Sequence, residues 1–300
     1  MKRQLAIITT LLVFICSSSV GQDNSSLFSR LQAISNSGTD FFNVDGIEIT
    51  SQSISSDFSK KSILKKFKKY SINENDLTSS DTLLNLANYY VSKTKEICPG
   101  TIQHASYYFI DNPGKGFTAI TFVSFNKKDR NFERNFVKLL YTDSIPKTVY
   151  EPLQIDSINF AGRKIALGSS CKWMGINNVQ CPSYGQMNWS VHKTLEDAIS
   201  TVENQFNVIN AKKGGKIVSV DTVNVIFESS ETTAKKVIYD FKGVTSLLAG
   251  MSGGKTLTIY FVAAPVKQNF VSCIMSFWNN DSVNPGGLPP LLERVMKLRQ

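Results

Sequence analysis

Histidine is almost missing from this chain: 300 residues contain two, His104 and His192. A metal site built from three or more histidines is thereby excluded. Cysteine is scarce as well, and its five residues suit disulfides better than zinc ligation. Beyond the first residues no apolar run approaches the roughly 20 residues that a membrane-crossing helix takes. A dedicated calcium loop is lacking too. Asn279-Asn280-Asp281-Ser282 offers oxygens without the ligand spacing and reads as a solvated turn. What remains is a globular composition, 42% hydrophobic and 19% charged, long enough for one large or two ordinary domains.

The amino end is the exception. Met1-Lys2-Arg3 precedes an apolar run from Leu5 to Ile15, followed by Ser17-Ser18-Ser19 and a small-x-small site at Ser19-Val20-Gly21. About eleven apolar residues are too few for a span, and the pattern predicts a secretory signal peptide over 1–21, cleaved near Gly21. A lipid anchor would use Cys16, but bulky Ile15 fits that processing poorly. Cleavage removes Lys2 and Arg3 and no acid, so the net charge of +9 becomes +7. A basic mature chain favours anionic surfaces without selecting one. Cleavage also removes Cys16, and four cysteines in an oxidising compartment predict two disulfides. Cys171 and Cys181 stand ten residues apart around Gly175 and Asn177-Asn178, a hairpin spacing, so Cys98 and Cys273 pair by elimination.

Residues 22–40 are rich in Ser and Asn and predict a flexible arm. Regular structure is expected from Phe41, with a turn at Asp45-Gly46 leading into a strand. Ser55-Ser56-Asp57 supply caps for a helix over about 58–70, with Ile63, Leu64, Phe67 and Tyr70 on one stripe. Residues 82–95 predict a further helix. Strands over 107–110 and 117–125 flank the Asn112-Pro113-Gly114 turn, and 132–140 returns to helical spacing. A shift of 152 lays 108–129 on 260–281 with seven identities, among them Tyr108/Tyr260, Pro113/Pro265 and Asp129/Asp281. Weaker likenesses place 44–49 on 155–160 and 137–139 on 296–298, so the shifts rise in order. The expected fold is therefore α+β: two tandem related units of antiparallel sheet with flanking helices. Repeat one covers 41–140, a linker 141–151, and repeat two 152–300, closing with a helix over 291–298. The second unit is expected to carry a disulfide-stapled hairpin insertion near 161–190. Smaller additions are expected near 246–255 and 282–288. The competing reading is one α+β domain whose aromatic hairpins resemble each other by composition.

No catalytic set emerges. Gly250-Met251-Ser252-Gly253-Gly254 matches a nucleophile elbow, and Ala249 with Gly254-Lys255-Thr256 a relaxed phosphate loop. Both motifs need a helix next, whereas Leu257 to Val262 is β-branched and aromatic and predicts a strand. No cofactor is implied. Two features suggest contact with something outside the chain. Lys65, Lys66, Lys68 and Lys69 cover one side of the first helix and could track phosphates, anionic lipids or acidic glycans; an ordinary solvated face explains them equally. The stretch 171–189 holds two of the three tryptophans, and Trp173, Met174 and Tyr184 offer contact area at low entropy cost. Strand alternation assigns Trp189 to the core with Met187 and Val191, and leaves Trp173 to solvent. The function expected is a secreted or periplasmic, non-catalytic binding protein. Its partner would be an anionic surface, an envelope polymer or another envelope protein, and not nucleic acid. The alternatives are a secreted hydrolase of envelope polymer and a structural envelope component.

Overall fold

The computed structural model describes residues 24–153, 156–242 and 254–299. The expected signal peptide and Ser252 with most of its loop lie outside them.

The first unit starts earlier than expected. A short helix, α1 (Ser25–Phe28), leads into β1 (Gln32–Asn36), which returns through Ser37-Gly38 as β2 (Thr39–Val44). The expected flexible arm is thus a hairpin, because Leu31 and Ala33 bury in the core beside Phe42 and Val44. Asp45 and Gly46 have φ of 51° and 75°, the pair of positive values a tight hairpin turn demands, and β3 (Ile47–Ile54) follows. Helix α2 (Lys60–Phe67) starts at Ser59, whose hydroxyl accepts from Ser62 N, and buries Ile63 and Phe67 one turn apart.

The helix expected over 82–95 is absent. Residues 82–84 make one tight turn, and the chain then runs as β4 (Asn88–Cys98). Local propensity is overridden by antiparallel pairing with the next strand, and a buried polar clamp fixes where the strand starts. Asn88 exchanges hydrogen bonds with the backbone of Asp81, and Arg130 and Arg134 both hold the Asp81 carboxylate at 2.8 Å. β5 (Thr101–Asn112), β6 (Gly116–Phe125) and α3 (Arg130–Tyr141) complete the set. β7 (Tyr150–Glu151), inside the expected linker, pairs parallel with β1. Among the described residues this gives a seven-stranded sheet, β4-β5-β6-β3-β2-β1-β7. One face buries Phe42, Ile49, Tyr108 and Phe122 under Phe136 of α3; the other buries Phe109 and Phe117 under Ile63 and Phe67 of α2.

The second half opens with β8 (Ser157–Phe160) and β9 (Arg163–Ala166), a separate two-stranded sheet. Next come β10 (Lys172–Gly175), β11 (Asn178–Cys181) and β12 (Gly185–His192), then helix α4 (Leu195–Ala211). β13 (Gly215–Phe227), β14 (Ser230–Phe241), β15 (Thr256–Val266) and β16 (Asn269–Trp278) follow, with α5 (Pro290–Glu293) and β17 (Met296–Leu298) at the end. The eight-stranded order is β10-β11-β12-β16-β15-β14-β13-β17. The helix expected over 291–298 is therefore four residues long, because Met296–Leu298 pairs with β13. α4 covers the face carrying Val237, Ile259 and Phe261, while β8, β9 and α5 cover the face carrying Trp189, Tyr260 and Met275.

Both sheets share one wiring. A three-stranded meander ends in a strand (β3 or β12), a connection containing a helix follows, and the last strand of a second meander (β6 or β16) returns beside it. The shift of 152 falls on equivalent hairpins, β5–β6 and β15–β16. The shift of 111 does not. Its counterpart of β3 is β8, which pairs only with β9, whereas the topological partner of β3 is β12. The cystine hairpin is accordingly no insertion: β10-β11-β12 stands where β1-β2-β3 stands in the first sheet.

Candidate functional site

The two units meet where the β2–β3 turn reaches the end of β12. Asp45 N donates to Val191 O at 3.0 Å, and Asp45 Oδ1 accepts from Lys193 N at 2.8 Å. Arg30 grips the same carboxylate through two bonds of 2.9 and 3.1 Å. Gly46 is required twice here. Its φ is positive, and a Cβ would lie 2.9 Å from Thr201 Oγ1 and 3.2 Å from His192 Cε1. Lys127–Asp197 at 3.0 Å and Asn126 Nδ2 to Asn204 Oδ1 at 2.8 Å extend the seam along α4. Burial pushes the Asp197 carboxyl up, but the hydrogen bonds from Lys127 and Thr194 outweigh it and hold the group below its usual range.

Beside this seam lies a cleft of about 900 Å³. Strand register explains its polar walls. Asn43 and Glu48 are directly opposite on β2 and β3, on the face away from Phe42 and Ile49. In the other unit Asn178 faces Asn188, and Asn188 faces Ile274, on the side away from Trp189. α4 adds Asp197, Thr201, Asn204 and Gln205, a stripe at three- and four-residue spacing. Asp129 and Asn135, at the first turns of α3, close the far wall with Phe125 and Phe132.

Three of the four cleft carboxylates are already engaged. Asp45 is held by Arg30, Asp197 by Lys127 and Thr194, and Asp129 caps α3 by accepting from Asn131 N and Phe132 N. Glu48 remains; its surface is open, yet the surrounding cleft desolvates its carboxyl enough to raise it above the usual range. A serine–histidine pair exists, His192 Nε2 to Ser272 Oγ at 2.8 Å, but both residues are buried. His192 Nδ1 has no partner to orient the ring, and burial pushes the imidazole down to about 4. A base so weak and so enclosed has neither the proton affinity nor the access for nucleophile activation. No group of three or more His, Cys, Asp or Glu that could hold a metal occurs among the described residues.

No protein-family model matches the chain, and no curated protein does. Among solved structures, the di-domain ARO/CYC StfQ from the steffimycin biosynthetic pathway is similar at 10% identity and a TM-score of 0.17, over 88% of this chain and 77% of that one. A score that low relates neither fold nor site.

The residues singled out from sequence do not converge. Cys171 and Cys181 form a disulfide. Cys98 and Cys273 are free and buried: Cys98 ends β4 in one sheet, whereas Cys273 faces the core of the other beside Trp189 and Val262. Elimination ignored that separation. Trp189 is fully buried, as alternation requires. Trp173 is half-buried rather than displayed. Its ring lies 6.3 Å from Trp189, and its Nε1 donates to Pro152 O. Met174 and Tyr184 are exposed at opposite ends of β11, so they share no patch. Lys65, Lys66, Lys68 and Lys69 are exposed and make no ion pair among the described residues. The cleft residues escaped sequence reading, although the short polar stripe of α4 was legible as a period.

Proposed function

We propose that the chain is an extracytoplasmic, non-catalytic binding protein whose ligand lies in the cleft between its two sheets. The observation that carries this reading is a wall of polar side chains with no internal work. Among the described residues, no protein hydrogen bond engages the side chains of Asn135, Asn178, Asn188 or Gln205. Its volume is within the range of roughly 300–1,000 Å³ typical of ligand sites. The Cys171–Cys181 disulfide suits an oxidising compartment. No described helix is long and apolar enough to cross a membrane.

The hydrolase alternative has one observation in its favour, the raised carboxyl of Glu48, which resembles a general acid. It lacks a free second carboxylate, since the other three serve ion pairs and a helix cap. The experiment is a thermal-shift screen of the purified protein against peptides, polyols, nucleosides and oligosaccharides, run on wild type and on Asn178→Ala/Asn188→Ala. Stabilisation by a compound, lost in the double variant, is the expected result. Turnover of a panel compound that Glu48→Gln abolishes would instead favour the hydrolase. No shift, or one indifferent to the cleft change, removes the reading.

The lysines of α2 and of the turn after it support a second contact, with an anionic envelope polymer or surface. Exchanging Lys65, Lys66, Lys68 and Lys69 for glutamine should change stability by about 0.5 kcal/mol or less per position while reducing adsorption to anionic vesicles at low salt. Wild-type protein that fails to adsorb would end that idea.

A further inference from the structure

We propose that the cleft receives a neutral, polyhydroxylated chain, a short oligosaccharide; this rests on the cleft being the ligand site. The first ground is charge. The chain carries a net +9, yet that excess is absent from the cleft. Its bases are Arg30, Lys127 and Lys193, its acids Asp45, Glu48, Asp129 and Asp197. Arg30 and Lys127 are neutralised within ion pairs, which leaves Lys193 against Glu48 and Asp129. An anionic ligand would find no surplus of positive charge.

The second ground is the kind of polar group. Carboxamides supply a donor and an acceptor from one side chain, matching a hydroxyl, which also does both. Asn135, Asn178, Asn188 and Gln205 present such groups from four elements, α3, β11, β12 and α4, so a ligand with hydroxyls on several sides could be met from each. Asn43 strengthens the case: it is 3% exposed, lines the cleft, and its Oδ1 has no hydrogen-bond partner. A buried acceptor left open costs free energy, and rotation of the carboxamide toward the cleft would let a ligand hydroxyl recover it. Glu48, opposite Asn43 on the neighbouring strand, adds an acceptor for paired hydroxyls.

The third ground is the apolar remainder. Phe125 and Phe132 are the two rings in the lining, and flat rings suit the C–H faces of pyranoses. An extended peptide would ask for apolar side-chain pockets, and the other apolar linings are only Leu27, Ile47 and Ile274.

The test uses the purified protein on immobilised gluco-, manno-, xylo- and chito-oligosaccharides. Oligogalacturonate and a random peptide library serve as the contrasting arms. The expected result is saturable binding to at least one neutral glycan, unchanged by raised salt and unchanged by the exchange of Lys65, Lys66, Lys68 and Lys69. Asn178→Ala/Asn188→Ala should weaken it about tenfold or more, with Glu48→Gln as a second variant in case the pair fails to fold. Binding of peptide alone, lost in the cleft variants, would overturn the sugar assignment, and binding of oligogalacturonate alone would overturn its neutrality; either would leave the cleft as the site. Glycan binding that ignores both cleft variants would overturn both. No binding in any arm would overturn the sugar assignment.

Discussion

Trp189 and Trp173 lie side by side, yet the sheet uses them differently. Trp189 packs between Phe160 and the strands beneath, fully enclosed, while Trp173 covers it from the edge strand. Trp189→Ala should cost roughly 3–5 kcal/mol as a core cavity. Trp173→Ala should cost about 1–3 kcal/mol, because a ring–ring contact and part of a core lid are lost. Urea melts measure both, and equal losses would contradict the difference in burial. His192 supports a pH prediction. Burial disfavours its charged form, outweighing the pull of Asp45 and Asp197, and the folded-state value drops to about 4. The unfolded chain takes up that proton near 6.5, so it binds more protons between 6.5 and 4. Stability is therefore full above 6.5 and falls as pH drops through that window, by on the order of 3 kcal/mol. Denaturation midpoints across the window should fall for wild type and flatten in His192→Gln. An unchanged slope would assign the effect to other groups.

At the scale of elements, the cystine joins β10 to β11 at the open edge of the eight-stranded sheet. Its loop is short, so reduction should cost roughly 2–3 kcal/mol, mostly by freeing the unfolded hairpin. Cys98 and Cys273 are buried, and burial raises the Cys273 thiol well above its usual range. Thiol titration should find both cysteines unreactive in the native protein and reactive in denaturant. Peptide mapping without reduction should yield Cys171 linked to Cys181; a Cys98–Cys273 peptide would contradict the packing of the two sheets.

At the largest scale, the two large sheets of the described residues are joined by a seam whose centre is Asp45. This residue closes the β2–β3 turn, holds Arg30, and accepts from the backbone at the end of β12. Arg30 is 7% exposed, so Asp45→Ala would strand a nearly buried cation; the expected loss is about 2–4 kcal/mol. The seam also frames the cleft, so calorimetry should show a broadened or split transition as the units lose their coupling. A single sharp transition at the wild-type temperature would mean that α4 alone holds the units together.

Several features were settled by local chemistry and so were legible in the sequence. The ten-residue cysteine spacing, the Asp45-Gly46 turn, the alternation of Met187, Trp189 and Val191, and the capped helices α2 and α3 all depend on neighbours within a few positions. The strand-like run after Gly254 likewise formed β15 rather than the helix that a phosphate loop needs. Other features were decided by tertiary structure. Residues 88–98 became a strand because they pair along their length with β5, and the Asp81 clamp fixes Asn88 at its start. β8 left the main sheet, and Cys98 was separated from Cys273, because pairing partners are chosen by the whole fold. The cleft belongs to the same class. Its amides come from β2, β11, β12, α3 and α4, each an unremarkable polar residue until the seam turns them toward one another. A sequence records periodicity and spacing along one chain, whereas a site is a convergence between strands distant in that chain, set by sheet register and by the contact of Gly46 with α4.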